Sequence, residues 1–128
     1  MITLDHKQIA EGLPPFIVAE LSGNHNGDIN RAKAIVDAAF RAGADAVKLQ
    51  TYTADTMTLD CREGEFLVSD ENNPWNGYTL HELYDEAHTP WAWHEELFSY
   101  IRSKGMIPFS SPFDESSVDF LESLDCLI

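Results

Sequence analysis

Glu20, Lys48, Gln50, Ser110 and Ser111 are the residues whose types and positions best suit them to chemistry. They close three short apolar runs, Phe16-Ile-Val-Ala-Glu20, Ala46-Val-Lys-Leu-Gln50 and Met106-Ile-Pro-Phe-Ser-Ser111. A strand buried on both faces has no structural use for a lysine or a glutamate, because an unpaired buried charge is costly. Lys48 admits two functional readings. As an ammonium it binds a phosphate or carboxylate as a point charge; as a desolvated amine it forms a Schiff base with a carbonyl substrate. The structural alternative is that Glu20 and Lys48 simply pair with each other. The Ser110-Ser111-Pro112-Phe113 turn leads straight to a helix start, where free N–H groups and hydroxyls suit an anion. Capping of a strand–helix junction explains the same residues equally well.

The elements that must position these residues follow from periodicity. Met1 to Pro15 reads as an irregular leader, and Phe16–Glu20 as a buried strand of β-branched and apolar residues. Asp28 is the expected N-cap of a helix carrying Ile29, Ala32, Ile35, Val36, Ala39 and Phe40 at helical spacing, stopped by Gly43. Ala46–Gln50 is the second strand, which completes a βαβ unit. Residues 51–78 form a polar stretch too long for an ordinary connection, of the kind that is functional or disordered. Thr79-Leu-His-Glu82 matches a capping box, with Leu80, Leu83, Tyr84 and Ala87 behind it. Thr89-Pro90 starts a further helix with proline at its first position, running through Trp93, Leu97, Phe98 and Ile101 to Lys104 and stopped by Gly105. Met106–Ser111 is the third strand, Asp114 caps a last helix, and Leu127-Ile128 opens what reads as a fourth strand.

The fold class is therefore α/β, with parallel strands alternating with helices. A TIM (β/α)8 barrel takes about 250 residues, so the 128 residues here are expected to form its N-terminal half. In such barrels chemistry sits at the C-terminal ends of the strands, which places Glu20, Lys48, Gln50, Ser110 and Ser111 at one mouth.

Composition narrows the function classes. Twenty-two acids against 8 bases give a net charge of −14, a surface that repels nucleic acid. A small anionic ligand is still allowed, since a site obeys its own few residues. No signal peptide or membrane-length apolar run is legible, so a soluble cytoplasmic protein is expected. Cys61 and Cys126 fit no metal or redox spacing. His25 lacks a partner at metal-binding spacing, and His81, His88 and His94 share no helical face. Trp91 and Trp93 read as packing residues.

Three ordered motifs carry a family resemblance. Ala19-Glu-Leu-Ser-Gly-Asn-His-Asn-Gly27, Val47-Lys-Leu-Gln-Thr-Tyr52 and Lys104-Gly-Met-Ile-Pro-Phe-Ser-Ser-Pro-Phe-Asp114 resemble the first three strand motifs of the sialic acid synthase family. Leu83-Tyr-Asp-Glu-Ala-His-Thr-Pro-Trp-Ala-Trp-His94 is similar to its pseudaminic acid synthase branch. The resemblance implies condensation of phosphoenolpyruvate with an N-acetylated aminosugar aldehyde, giving a nine-carbon α-keto acid and phosphate.

It further implies that Lys48 contacts the phosphoenolpyruvate anion, that Ser111 binds phosphate, that Gln50 lines the pocket, and that Glu20 assists water or the tetrahedral intermediate. Asn76, in the long loop, is the expected sugar contact. A divalent metal, Mn2+ or Mg2+, is implied as cofactor, with no ligand among these residues. The rest of the barrel and an antifreeze-like domain are expected outside this chain, which by itself is expected to be inactive. Neuraminic or legionaminic acid synthesis, a Schiff-base aldolase using Lys48, and a non-catalytic self-associating half-barrel are the alternatives. An open half-barrel is also expected to form a homo-oligomer, most simply a dimer, because it leaves strand edges unpaired.

Overall fold

The computed structural model describes residues 1–126. Its centre is a three-stranded sheet of β3 (Val18–Glu20), β4 (Ala46–Thr51) and β5 (Ile107–Pro112), in the spatial order β3-β4-β5 and parallel throughout. Helix α1 (Ile29–Arg41) crosses from β3 to β4. From β4 the chain returns to β5 through α2 (Ala54–Met57), α3 (Leu80–Ala87) and α4 (His94–Ser103), and α5 (Glu115–Ser123) follows β5. The sheet is open, and the described residues close no barrel.

Local chemistry explains the elements. The Asp28 carboxylate accepts from the Asn30 N–H at 2.8 Å and starts α1, satisfying one of the donors a helix leaves orphaned at its start. Ala32, Val36 and Ala39 form its buried stripe. Gly43 and Gly105, at φ of 84° and 77°, follow α1 and α4. Both sit in the left-handed conformation that glycine adopts without a Cβ penalty, and so turn the chain into the next strand. Thr79 and Glu82 form the expected capping box of α3, and Asp114 caps α5 through the Ser116 and Ser117 N–H groups.

The core lies between the sheet and its helices. Val47 and Leu49 from β4 meet Val36 of α1, Leu97, Phe98 and Ile101 of α4, and Leu121 of α5. The other face of the sheet carries Glu20, Lys48, Gln50 and Ser111.

Several expectations need correction. The leader is not irregular. Ile2–Leu4 (β1) and Lys7–Ile9 (β2) form an antiparallel hairpin, with Asp5 taking a φ of 51° at the turn, a conformation aspartate tolerates. Lys7 anchors the hairpin to Asp45 at 2.9 Å, and the same carboxylate accepts from the Ile17 N–H; these contacts hold Asp45 below the usual carboxylate range. The first parallel strand is shorter than Phe16–Glu20 and is not buried. Ile17 and Val18 are exposed, because among the described residues β3 is a sheet edge and pairs with β4 alone.

Proline at position 90 does not open an α-helix directly. A 3-10 turn, Trp91–Trp93, intervenes, and the α-helix begins at His94. The expected fourth strand at Leu127-Ile128 lies outside the described residues.

The long connection carries its own hydrogen-bonded structure. Thr53 and Thr56 form a capping box on α2, and Leu67 bridges Thr79. Within it the Val68 N–H donates to the Tyr78 carbonyl and the Gly77 N–H to that of Val68. Arg62 pairs with Glu82, and His81 with Asp55 at 2.8 Å.

Leu97→Ala tests this core. The side chain is fully buried, so the substitution should lower the unfolding free energy by about 2–5 kcal/mol in urea titration. Leu13→Ala, at an exposed position, should change it little.

Candidate functional site

Side chains alternate across a strand, and in-register partners of a parallel pair share a face. Glu20 is registered on Lys48, Lys48 on Phe109, and Gln50 on Ser111. These five residues therefore line the face of the sheet opposite the helices. The burial of β4 fits this division: Val47, Leu49 and Thr51 are buried while Lys48 and Gln50 are half-buried. Lys48 Nζ lies 2.5 Å from Glu20 Oε1. The pairing weighed as the structural alternative is thus present. It places a cation and a carboxylate at adjacent strand ends, next to the amide of Gln50 and the hydroxyl of Ser111. The Glu20 side chain is 59% exposed, so the pair is open to solvent and contributes little to stability.

Ser110 does not share this face. Alternation turns it toward the helices, where its hydroxyl lies 2.6 Å from Thr51 Oγ1. Thr51 Oγ1 is in turn 2.7 Å from His94 Nε2, and His94 Nδ1 is 3.2 Å from the Pro90 carbonyl oxygen. The carbonyl can only accept, so Nδ1 carries the proton and Nε2 accepts from Thr51. Thr51 having donated, Ser110 donates to Thr51. His94 is fully buried, and burial holds it below the ordinary histidine value, consistent with a neutral ring.

His25 is likewise buried, with both ring nitrogens hydrogen-bonded within the protein. The Gly27 N–H donates to its Nδ1 at 3.0 Å, so Nε2 donates to Thr89 Oγ1 at 3.1 Å. Its ring meets Trp93 edge-on with centroids 5.3 Å apart. Trp91 stacks on Phe120 and donates to the Tyr52 carbonyl, the packing role expected of it. Among the described residues no group of three or more His, Cys, Asp or Glu side chains is placed to hold a metal.

Just beyond the strand ends the mouth becomes aromatic. Tyr52 follows β4 and Phe113 follows β5; their rings meet edge-on at 5.5 Å, and Tyr84 packs on Tyr52 at 5.8 Å. Tyr52 and Phe113 directly continue the two strand motifs, although the sequence alone assigns neither a role of its own. Asn76 is exposed in a turn whose N–H donates to the Asn73 carbonyl. Its neighbour Trp75 lies with Gly23, Gly27 and Ala87 around a small cavity. Gly23 allows that approach, since a Cβ there would meet the Ala87 carbonyl oxygen at 3.0 Å.

With this geometry in place, comparison with known proteins is informative. A family model described as the NeuB family matches residues 35–128. The chain belongs to the NeuB family. It is 49% identical over 113 residues to pseudaminic acid synthase of Helicobacter pylori, covering 88% of this chain and 33% of that protein. N,N'-diacetyllegionaminic acid synthase of Legionella pneumophila is 41% identical over 109 residues, 85% of this chain and 30% of that protein. Among solved structures, the N-acetylneuraminic acid synthetase of Leptospira borgpetersenii, in complex with citrate, aligns with a TM-score of 0.76 and 27% identity. That alignment covers 98% of this chain and 38% of that one. The resemblance read from the three strand motifs is borne out, and the relatives are sialic-acid-type synthases. This NeuB-family chain spans about a third of the length of the curated relatives it matches.

The two buried histidines predict a pH dependence of folding. Both are held below the ordinary histidine value of 6.5, chiefly by burial, with His88 adding to the effect at His25. As pH falls through 6.5 the unfolded chain takes up these protons and the folded chain does not, so stability should fall. His81, raised by its bond to Asp55, has the opposite sign, but its Asp55 partner is 89% exposed and solvent screens the pair. Urea midpoints should therefore drop between about pH 7 and pH 5.5, and His94→Gln should flatten that slope. An equal slope in the variant would contradict the assignment.

Proposed function

We propose that this NeuB-family chain supplies the phosphoenolpyruvate-facing strands of a pseudaminic-acid-type synthase, its strands being the opening β/α units of a TIM-type barrel. The single observation carrying this reading is the gathering of Glu20, Lys48, Gln50 and Ser111 on one face at adjacent strand ends. The reaction condenses phosphoenolpyruvate with an N-acetylated aminosugar aldehyde. The C3 carbon of the enol attacks the aldehyde carbon, water adds at C2, and the tetrahedral adduct expels phosphate by C–O cleavage to leave the α-keto acid. The greater identity to pseudaminic than to legionaminic acid synthases favours the pseudaminic product.

Each side chain has a role in that scheme. Lys48 binds the anion through charge and hydrogen bonds, and the Ser111 hydroxyl donates to a phosphate oxygen. Gln50, with both donor and acceptor, orients the ligand between them. An incoming anion competes with Glu20 for Lys48; the released carboxylate can then take the proton of the water adding at C2. Asn76 remains a proposed sugar contact. The divalent metal, Mn2+ or Mg2+, takes its ligands elsewhere in this proposal, since the described residues provide no cluster for it. A Schiff base at Lys48 requires a free amine lone pair, whereas Nζ sits against a carboxylate as an ion pair.

Calorimetric titration of phosphoenolpyruvate into the chain tests the binding role. Lys48→Ala should weaken the affinity by about 10- to 100-fold, the worth of one charge-assisted contact, with a smaller loss for Ser111→Ala. Equal affinities for Lys48→Ala and the unaltered chain would remove this lysine from the anion site. Borohydride treatment with pyruvate should leave Lys48 unmodified; a reduced adduct found there by mass spectrometry would instead favour the aldolase reading.

A further inference from the structure

The Ser110–Thr51–His94–Pro90 chain of hydrogen bonds has no place in the reaction scheme, yet it lies directly behind the residues that do. Thr51 follows Gln50, and Ser110 precedes Ser111. Gln50 and Ser111 are registered on each other on the polar face, while Thr51 and Ser110 are joined diagonally at 2.6 Å on the helix face of the same two strands. His94, the first residue of α4, holds the far end of this link at 2.7 Å. The assembly is dry. Thr51 and His94 are fully buried, Ser110 is 3% exposed, and the rings of Phe98 and Phe120 enclose the imidazole.

Every member of the chain is oriented by the one beyond it, ending at a carbonyl that can only accept. Loss of the Nε2 acceptor would leave a buried hydroxyl without its partner, and the cheapest repair is movement of the strand ends. A one-residue neighbour relation across the backbone then carries that movement to the polar face, because adjacent residues of a strand project from opposite sides of a single rigid unit.

We propose that His94 is a positioning residue: through Thr51 and Ser110 it fixes the ends of β4 and β5, and thereby the separation and direction of Gln50 and Ser111. The inference rests on the anion-site reading for its functional meaning, but its structural content can be tested without ligand.

Amide hydrogen exchange in the full chain separates the outcomes. His94→Phe keeps the ring volume and removes both polar atoms. His94→Gln restores an acceptor for Thr51 and a donor for Pro90. Thr51→Val cuts the chain without touching the histidine, and serves if His94→Phe does not fold. Phe and Val variants should speed exchange at the Gln50 and Ser111 amides by about tenfold relative to those of Val36 and Ala39 in α1, as expected of a local opening. The Gln variant should return them to near the unaltered rate. Unchanged exchange in the Phe and Val variants, or no rescue by Gln, would overturn the positioning role. Phosphoenolpyruvate titration with Lys48→Ala as control keeps the two claims apart. If Lys48→Ala binds as well as the unaltered chain, the anion-site reading fails whatever the exchange shows. If Lys48→Ala weakens binding while exchange is unmoved in the other variants, the positioning claim fails alone.

Discussion

Strand β4 is hydrogen-bonded along both edges, to β3 and to β5, and its side chains alternate between two incompatible environments. Val47, Leu49 and Thr51 face the helices and are sealed in the core. Lys48 and Gln50 face the other way, beside Glu20, Phe109 and Ser111. A slip of one residue would drive a lysine into the apolar layer and expose a valine and a leucine. The hydrophobic core thus enforces the register that assembles the polar face.

Most of this was legible because it rests on local signals. The caps at Asp28, Thr79 and Asp114 were readable from side-chain type and spacing, as was the stop at Gly105. The strand motifs ending in Glu20, Gln50 and Ser111 were readable because a charge or amide has no structural purpose in an apolar run. The three-residue strands of the N-terminal hairpin were missed; they are too short for alternation to register, and no Asn-Gly or Asp-Gly turn marks them. The burial of β3 was overestimated, since sequence gives a strand's composition but not whether a neighbour covers it.

Ser110 shows a subtler limit. Two adjacent serines at a strand end look like one feature, although alternation alone sends them to opposite faces. The parity rule, counted from Leu49 and its register partner, separates them: Ser111 belongs with Gln50, and Ser110 with the core. Spacing argues against His94 as a metal ligand but does not reveal its partner: Thr51 lies 43 residues away in sequence, and Thr51 in turn bonds Ser110, 59 residues further along the chain. No local pattern predicts such a contact. Only the tertiary fold brings it about, as it does the contact of His25 with Thr89.

The central claim is that the face bearing Glu20, Lys48, Gln50 and Ser111 is an anion site. Amide and side-chain NMR of the chain during addition of phosphoenolpyruvate tests it most directly, because each strand presents both faces to the same experiment. The account predicts the largest shifts at the Lys48 ammonium, the Gln50 side-chain amide and the Ser111 amide, with the signals of Val36 and Ala39 in α1 unmoved. Shifts confined to other surfaces, with Lys48 and Gln50 silent at saturating ligand, would contradict it.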